Sequence, residues 1–196
     1  MTMQFILATH NLNKITEIKK AFDDAEIDIL SLHDFPDLPD VIEDGATIEE
    51  NSLKKAKEIF EHTRITAIAD DTGLEVDYLD GAPGVYAARF AGENCTYEDN
   101  NIKMLKSLKG VAVDNRGAKF RCIVSMYGQD ILEVTQGILE GEIIEELTGN
   151  NGFGYDPIFK PKGFEITLAE LSLDDKNKIS HRGQAVSKMV EIIKSL

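Results

Sequence analysis

Cysteine is scarce in this chain, which has only Cys95 and Cys122. Two cysteines cannot form the disulfide framework of a small secreted domain, and these two lack the spacing of metal-ligand pairs. Long apolar runs are also missing, because no stretch approaches the roughly 20 residues needed to span a bilayer. The first four residues, MTMQ, carry no basic stretch ahead of an apolar one and so do not suggest a signal peptide. We therefore expect a cytoplasmic protein with no membrane association.

Positive charge is scarce as well. The chain has 21 Lys and Arg residues against 35 Asp and Glu residues, which gives a net charge of −14. This balance argues against a nucleic-acid binder that relies on broad attraction to phosphates. A small anionic ligand is still allowed, because it needs only a local cluster of cations, usually helped by a metal. The 196 residues, 42% of them hydrophobic, fit one large domain or two small lobes that share a core.

Apolar spacing along the chain predicts an α/β protein. Residues 5–8 are typical of a buried strand, residues 13–22 have apolar side chains at helical spacing, and residues 27–30 indicate a second strand. Thr47 and Glu50 have the spacing of a capping box, which predicts a helix start. The remaining predictions are a strand at 66–70, a helix at 97–108, an antiparallel hairpin of 119–127 and 131–139, a final helix at 180–194, and loops at 32–45, 81–84 and 149–157. Together they indicate a central mixed β-sheet flanked by helices.

The turn between the first strand and the first helix is a candidate anion site. Backbone N–H groups and the helix dipole favour anions at such a position. Its polar residues could add hydrogen bonds and a charge: Thr9, His10, Asn11, Leu12, Asn13 and Lys14. A lysine in the first turn opposes the dipole, which is explained if a phosphate lies between them. An ordinary capped turn with a solvated lysine explains the same residues equally well.

The helix that begins at Thr47 carries a second candidate. Asn51 and Lys55 are four residues apart and share a face, and Glu43 lies just before the helix. The carboxylate could hold a hard metal ion while Lys55 contacts phosphate. Taken alone, these residues fit a solvated surface helix better.

Two adjacent acids, Asp70 and Asp71, follow the apolar run that ends at Ala69. If the strand continues, their side chains point to opposite sides, so that one can face a site and the other the scaffold. Ligands bind at strand ends in α/β folds, and carboxylates there suit magnesium. An aspartate-rich turn is the alternative, but the position directly after an apolar run favours a functional role.

Two further segments contain groups that suit a nucleoside. In the glycine-rich loop, Phe153 and Tyr155 could stack on a base, and Asp156 could accept hydrogen bonds from it. His181 and Arg182 fall at the start of the last helix, where the dipole disfavours cations unless an anion or a polar base lies nearby. A plain loop and a solvated helix start are the alternatives. Together, the five candidates describe a nucleotide–magnesium site.

The ordered set of motifs resembles the inosine triphosphate pyrophosphatase family, also described as XTP/dITP diphosphatases. The motifs occur in family order and cover nearly the whole chain: Thr9-x-Asn11-x-x-Lys14, Glu43-x-Gly45, Glu50-Asn51-x-x-x-Lys55, Ala69-Asp70-Asp71-Thr72-Gly73-Leu74, Gly81-Ala82-Pro83-Gly84-Val85-Tyr86, Gly152-Phe153-Gly154-Tyr155-Asp156-Pro157 and Ser180-His181-Arg182-Gly183. Each motif alone is weak evidence, whereas the ordered set is highly specific.

The resemblance implies an elongated, two-lobed α/β fold with a long central mixed sheet, a cleft between the lobes, and a homodimer. It also implies magnesium-dependent hydrolysis of ITP, dITP and XTP between the α- and β-phosphates. Glu43 and Asp71 would serve Mg²⁺, and Asp71 would also accept the proton of the attacking water. Residues 9–14 and Lys55 would hold the triphosphate, and Thr72 would contact the substrate. The nucleoside would be enclosed by Phe153, Gly154, Tyr155, Asp156, Lys176, His181 and Arg182.

His10 departs from the family pattern, which usually has glycine at this position. A glycine there can adopt a positive φ or let a phosphate approach closely. Histidine tolerates positive φ better than most residues and adds a possible donor to phosphate.

Two alternative functions stay open from the sequence. One is a Maf-like pyrophosphatase of pyrimidine or modified nucleotides. Comparing the hydrolysis of dITP with that of dTTP or UTP would distinguish the two enzymes. The other is a non-catalytic nucleotide-binding regulator, against which the acids Glu43, Asp70 and Asp71 argue.

Overall fold

The computed structural model describes residues 3–22 and 27–196, which form a mixed α/β fold. Met1 and Thr2, part of the stretch on which the signal-peptide prediction rests, lie outside the described residues. Within the described residues the sheet has seven strands: β1 (Met3–Leu7), β2 (Ile27–Ser31), β3 (Ala67–Val76), β4 (Pro83–Gly84), β5 (Gly117–Gly128), β6 (Ile131–Ile143) and β7 (Phe159–Pro161). Their order is β2-β1-β3-β5-β6-β7, with β4 paired to β3.

The sheet is mixed, as the sequence predicts. Strand β1 pairs in parallel with β2 and β3, whereas the β3–β4 and β6–β7 pairs are antiparallel. The helices are α1 (Leu12–Phe22), α2 (Ile48–Thr63), α3 (Tyr97–Ser107), α4 (Leu173–Ile179) and α5 (His181–Ile193). Apart from the length of β3, the predicted strands, hairpin and other helices are confirmed to within a few residues, but α4 was not predicted. It begins where the Ser172 hydroxyl accepts a hydrogen bond from the Asp175 N–H.

Strand β3 is twice as long as the sequence suggests, because it continues past the two acids to Val76. Asp70 and Asp71 therefore lie inside the strand, and their expected position at a strand end is wrong. The strand continues because every residue from 67 to 71 is buried, on both faces of the sheet.

The chain divides into two compact units. The first contains residues 1–71, 122–137 and 181–196, and the second contains residues 72–121 and 138–180. In the first unit, Phe5, Leu7 and Ile68 pack with α1 and α5, whereas Ile6 and Ala69 pack with α2. Helices thus cover both faces of these strands, and successive residues of a strand face different helices.

In the second unit, the core packs β3 residues Leu74 and Val76 with Met104 of α3, Phe120 of β5 and Phe159 of β7. Each unit therefore has an apolar core of its own.

The start of α2 is capped, although not by the predicted capping box. The Thr47 hydroxyl accepts a hydrogen bond from the Glu50 N–H at 3.1 Å, as expected. The Glu50 carboxylate, however, accepts from the N–H of Ala46 at 2.7 Å rather than from that of Thr47. Glu50 therefore fixes the chain just before the helix, which is the segment that carries Glu43.

None of the described helices is both long and apolar enough to cross a bilayer.

Candidate active site

The alternation of β3 sends Asp70 and Asp71 to different helices of the first unit. Asp70 shares the face of Ile68, which packs with α1 and α5, and Asp71 shares the face of Ala69, which packs with α2. The sequence prediction that the two acids point to opposite sides is confirmed. They have separate partners and build two different charged clusters.

On the α1–α5 face, Asp70 lies between two cations. Its Oδ2 atom is 3.1 Å from Lys14 Nζ and accepts a hydrogen bond from Arg182 Nε at 3.1 Å. Arg182 also donates from Nη1 to Oε2 of Glu17 at 2.5 Å. The side chains of Asp70, Glu17 and Arg182 are at most 4% exposed. Cations at the starts of helices, such as Lys14 and Arg182, are explained by a negative charge nearby. Here the carboxylates of Asp70 and Glu17 provide that charge.

These contacts fix the charges of the cluster. Burial acts to raise the pKa of Asp70, but the charges of Lys14, Arg182 and Lys55 outweigh it and hold the pKa well below its usual range. Burial acts to lower the pKa of Lys14, but Asp70, Asp71 and Glu43 together outweigh it and the pKa is raised. For Arg182, too, Asp70 and Glu17 outweigh burial and raise the pKa. All three groups are therefore ionised at neutral pH.

On the α2 face, Lys55 connects three acidic or polar groups. Its ammonium nitrogen Nζ is 2.9 Å from Glu43 Oε2, 2.7 Å from the carbonyl oxygen of Asp70 and 3.8 Å from Asp71 Oδ1. Asn51 donates from Nδ2 to Asp71 Oδ2 at 3.3 Å. Burial raises the pKa of Asp71 above its ordinary value, and Glu43 and Asp70 act in the same direction, against Lys55 and Lys14. A carboxylate with a raised pKa is a better proton acceptor.

The turn before α1 is held by its own side chains. The amide oxygen of Asn11 accepts hydrogen bonds from the N–H groups of Asn13 and Lys14, at 3.0 and 3.3 Å, and so caps the helix. Thr9 accepts one from the N–H of Asn11 at 3.2 Å. Leu12 is 65% exposed. The turn is therefore capped, as the alternative interpretation requires, and its contact with phosphate stays a prediction.

His10 lies at the surface. Its Nε2 atom is 3.3 Å from Asp40 Oδ1, and its ring meets that of His33 edge to face at 5.6 Å. His10 is not one of the described non-glycine residues that have a positive φ. The turn therefore forms without the left-handed conformation that a glycine would supply.

The glycine-rich loop belongs to the second unit. The Tyr155 ring is buried in that unit's core, where its hydroxyl donates to the Ala87 carbonyl oxygen at 2.8 Å and burial raises its pKa. This corrects the expectation that Tyr155 can stack on a base, because its ring is already packed. Phe153 is half-buried.

The Asp156 carboxylate organises this loop. Its Oδ2 atom accepts hydrogen bonds from the Phe153 N–H at 2.7 Å and from Lys176 Nζ at 2.5 Å, and Asp156 is 2% exposed. The Lys176 ammonium lies over the Phe153 ring, 4.8 Å from its centroid. Asn101 of α3 donates to the carbonyl oxygen of Gly154 at 2.9 Å. The Oδ2 atom of Asp156 thus holds the loop, and a hydrogen bond from a base to Asp156 stays a prediction.

The structure therefore gathers the predicted site residues into two groups. The first unit contains residues 9–14, Glu43, Lys55, Asp71, Arg182 and His181, which is buried at the start of α5. The second unit contains Thr72, directly after Asp71 in β3, together with residues 153–156 and Lys176. That both groups bind one nucleotide stays a prediction.

Sequence reasoning missed Glu17 and gave no role to Asn51 and Asn101, all of which are buried. Glu17 follows Lys14 by three residues on the same helix. Its position next to the apolar residues Ile15 and Ile18 is the feature of the sequence that could have indicated its burial. The asparagines have no comparable signal in a single sequence.

The carboxylates of the first unit suit a magnesium ion that is also bound by waters and substrate phosphates. In residues 3–22 and 27–196, no three His, Cys, Asp or Glu side chains form a metal-binding group. Mg²⁺, however, usually binds one or two carboxylates plus waters and substrate phosphates. Glu43 and Asp71 contact the same ammonium nitrogen and can supply those carboxylates. Nearby, Asp70 Oδ1 is buried and finds no hydrogen-bond partner within the described residues.

The chain is similar to known proteins along nearly its whole length. Residues 5–192 match the model of the Ham1 family. The chain belongs to the Ham1 family. It is 49% identical over 192 residues to a protein of Caldanaerobacter subterraneus named dITP/XTP pyrophosphatase, covering 97% of this chain and 96% of that protein. A protein of the same name from Clostridium perfringens is 46% identical over 98% of both chains.

Solved structures of Ham1 proteins share the fold of this family member. The HAM1 protein of Coxiella burnetii superposes with a TM-score of 0.90 at 36% identity over 100% of both chains. The Ham1 protein of Staphylococcus aureus superposes with a TM-score of 0.86 at 39% identity over 98% of both chains. The resemblance inferred from the ordered motifs is thereby confirmed.

Proposed function

We propose that this chain hydrolyses the non-standard purine nucleoside triphosphates ITP, dITP and XTP to the monophosphate and pyrophosphate. The observation that carries the proposal is nearly one-half identity, over almost the full length, to proteins named dITP/XTP pyrophosphatase. The charged cluster of the first unit supports it, because it combines two lysines with a buried carboxylate of raised pKa. Such an enzyme removes damaged nucleotides from the pool.

The chemistry follows from three side chains. Lys14 and Lys55 bind the triphosphate and exchange their contacts with Asp70 and Glu43 for phosphate oxygens, which stabilises the pyrophosphate leaving group. Asp71 orients the attacking water in line with the α-phosphorus and accepts its proton. Arg182 stays paired with Asp70 and Glu17 and keeps Asp70 in place.

We also propose that Mg²⁺ is the cofactor and that Glu43 and Asp71 hold it. When bound, the ion supplies positive charge that neutralises the phosphate oxygens. The support is the pair of carboxylates around Lys55, which matches the ligand preference of Mg²⁺.

In the second unit, Phe153 stacks on the base, and the loop held by Asp156 and Lys176 surrounds it. We propose that donors matched to the O6 atom of the base select 6-oxo purines, because the amino group of adenine would leave them unpaired. A homodimer and a cytoplasmic location remain predictions that rest on the family resemblance.

A nucleotide panel tests the function. With Mg²⁺ present, we expect ITP, dITP and XTP to be cleaved with kcat/KM at least about 100-fold above that for ATP, because buried donors left unpaired give strong discrimination. The measurement is pyrophosphate against phosphate release for ITP, dITP, XTP, ATP, GTP, dTTP and UTP. Preferred cleavage of dTTP or UTP would favour the Maf-like alternative, and binding of ITP without turnover would favour the regulator.

Metal removal tests the cofactor. We expect EDTA to stop ITP hydrolysis and added Mg²⁺ to restore it. Glu43→Gln should raise the Mg²⁺ concentration for half-maximal rate about 10-fold or more, since even outer-sphere changes cost that much in metal affinity. Glu49→Gln, on the exposed side of α2, is the matched control and should behave as wild type. Full activity in EDTA would contradict the proposal.

A further inference from the structure

Asn51 is buried in α2, only 1% exposed, and its amide group bonds in two directions. The Nδ2 atom donates to Asp71 Oδ2 at 3.3 Å, and the Oδ1 atom accepts from the N–H of Gly45 at 2.8 Å. One side chain thus joins the strand that carries Asp71 to the segment that carries Glu43, which lies two residues before Gly45.

Gly45 gives an independent sign that this junction is tight. A Cβ atom added at Gly45 would lie 2.7 Å from Asn51 Oδ1 and 2.9 Å from Glu50 Cβ, closer than such atoms approach. The glycine has no positive φ to explain it. The close approach of the segment to Asn51 is therefore what requires glycine here.

Glu43 and Asp71 are connected by two routes. The first is ionic and runs through Lys55 Nζ, which is 2.9 Å from Glu43 and 3.8 Å from Asp71. The second is neutral and runs through Asn51 and Gly45. If Lys55 turns to a phosphate, as the proposed function requires, the neutral route still connects the two carboxylates. A neutral amide can do this without opposing the charge of a cation.

We propose that Asn51 is a positioning residue that sets the separation of Glu43 and Asp71, so that the two carboxylates can bind one divalent cation. The inference rests on the proposed function for its catalytic consequence and on the proposed metal site for its cation, whereas the positioning itself is argued from the contacts of Asn51 and Gly45.

The test compares Asn51→Ala and Gly45→Ala with wild type. The first removes both hydrogen bonds, and the second keeps Asn51 but pushes the segment away from it. Binding of Mn²⁺ is measured without nucleotide, from the electron paramagnetic resonance signal of the free ion, and ITP hydrolysis is measured separately. We expect both variants to bind Mn²⁺ about 10-fold more weakly and to lose a similar factor in kcat, with KM for ITP changed less than about threefold, as for altered supports of metal ligands.

Ser52→Ala is the matched control for stability. Ser52 is the buried neighbour of Asn51, and its hydroxyl bonds to the Ala69 carbonyl oxygen and to Ser125 without contacting either carboxylate. Its melting temperature should fall while Mn²⁺ binding stays at the wild-type level.

Wild-type Mn²⁺ affinity in both variants would overturn the proposal, whether or not their melting temperatures fall as that of Ser52→Ala does. If Asn51→Ala does not fold, Gly45→Ala decides the question. If the wild type binds Mn²⁺ but does not cleave ITP, the proposed function fails, whereas the Mn²⁺ comparison still decides the role of Asn51.

Discussion

Asp71→Asn is expected to abolish nearly all pyrophosphate release from ITP while leaving the fold intact. Removing a positioned general base costs on the order of 10²–10⁴ in rate, and the loss of a metal ligand adds to it. The fold should survive because burial already disfavours the charged form of Asp71, so that a neutral amide of the same size costs little. Initial rates of ITP cleavage, with circular dichroism and thermal melting of the same samples, measure both halves of the prediction.

The control for this variant is Asp130→Asn. Asp130 lies in the turn between β5 and β6 with φ of 61°, a conformation that asparagine accepts, and no role is proposed for it. It should keep the wild-type rate. Turnover of Asp71→Asn within about threefold of wild type, well short of the loss expected for a general base, would refute the catalytic role.

Sequence alone could predict where the two acids point, but not what they contact. The direction of Asp70 and Asp71 follows from the two-residue period of a strand, which is a local property. The contact between Asp70 and Arg182 spans 112 residues of sequence, and only the tertiary fold brings them together. The cations at the starts of α1 and α5 were therefore interpreted as evidence for a bound anion, when Asp70 already lies between them.

Local signals also explain which elements were found. Apolar residues at helical spacing predicted α1 and α5, whereas α4 has only Leu173 and Ile179 as apolar residues and shows no such period. The full length of β3 was not predicted because two acids interrupt its apolar run, although both acids are buried. Charges inside an element hide its pattern, and in this chain one of them, Asp71, is the proposed general base.

Arg182→Met should cost the most stability of the substitutions considered. It leaves the carboxylates of Asp70 and Glu17 buried without their shared partner, and breaking a buried ion pair in this way costs about 3–5 kcal/mol. For a chain of this size, that lowers the melting temperature by about 6–20 °C. Urea and thermal unfolding at pH 7, followed by circular dichroism, give the differences from wild type in the free energy of unfolding and in the melting temperature.

Lys57→Met makes a similar change at an exposed pair, since the ammonium of Lys57 lies 3.9 Å from Glu61 and both side chains are 52% exposed. It should change stability by no more than about 0.5 kcal/mol, as surface substitutions usually do. If Arg182→Met costs no more than this control, the buried cluster does not stabilise the first unit.

The pH dependence of the same difference tests whether the charges of the buried carboxylates are responsible. The pKa of Asp70 is lowered in the folded state, so its contribution is fully present above the ordinary aspartate pKa of about 3.9 and is lost as the pH falls below that value. The gap between wild type and Arg182→Met should therefore be constant from pH 7 to pH 5 and become smaller towards pH 3. A gap that stays the same down to pH 3 would mean that Arg182 stabilises the fold through packing and not through its pairing with the buried carboxylates.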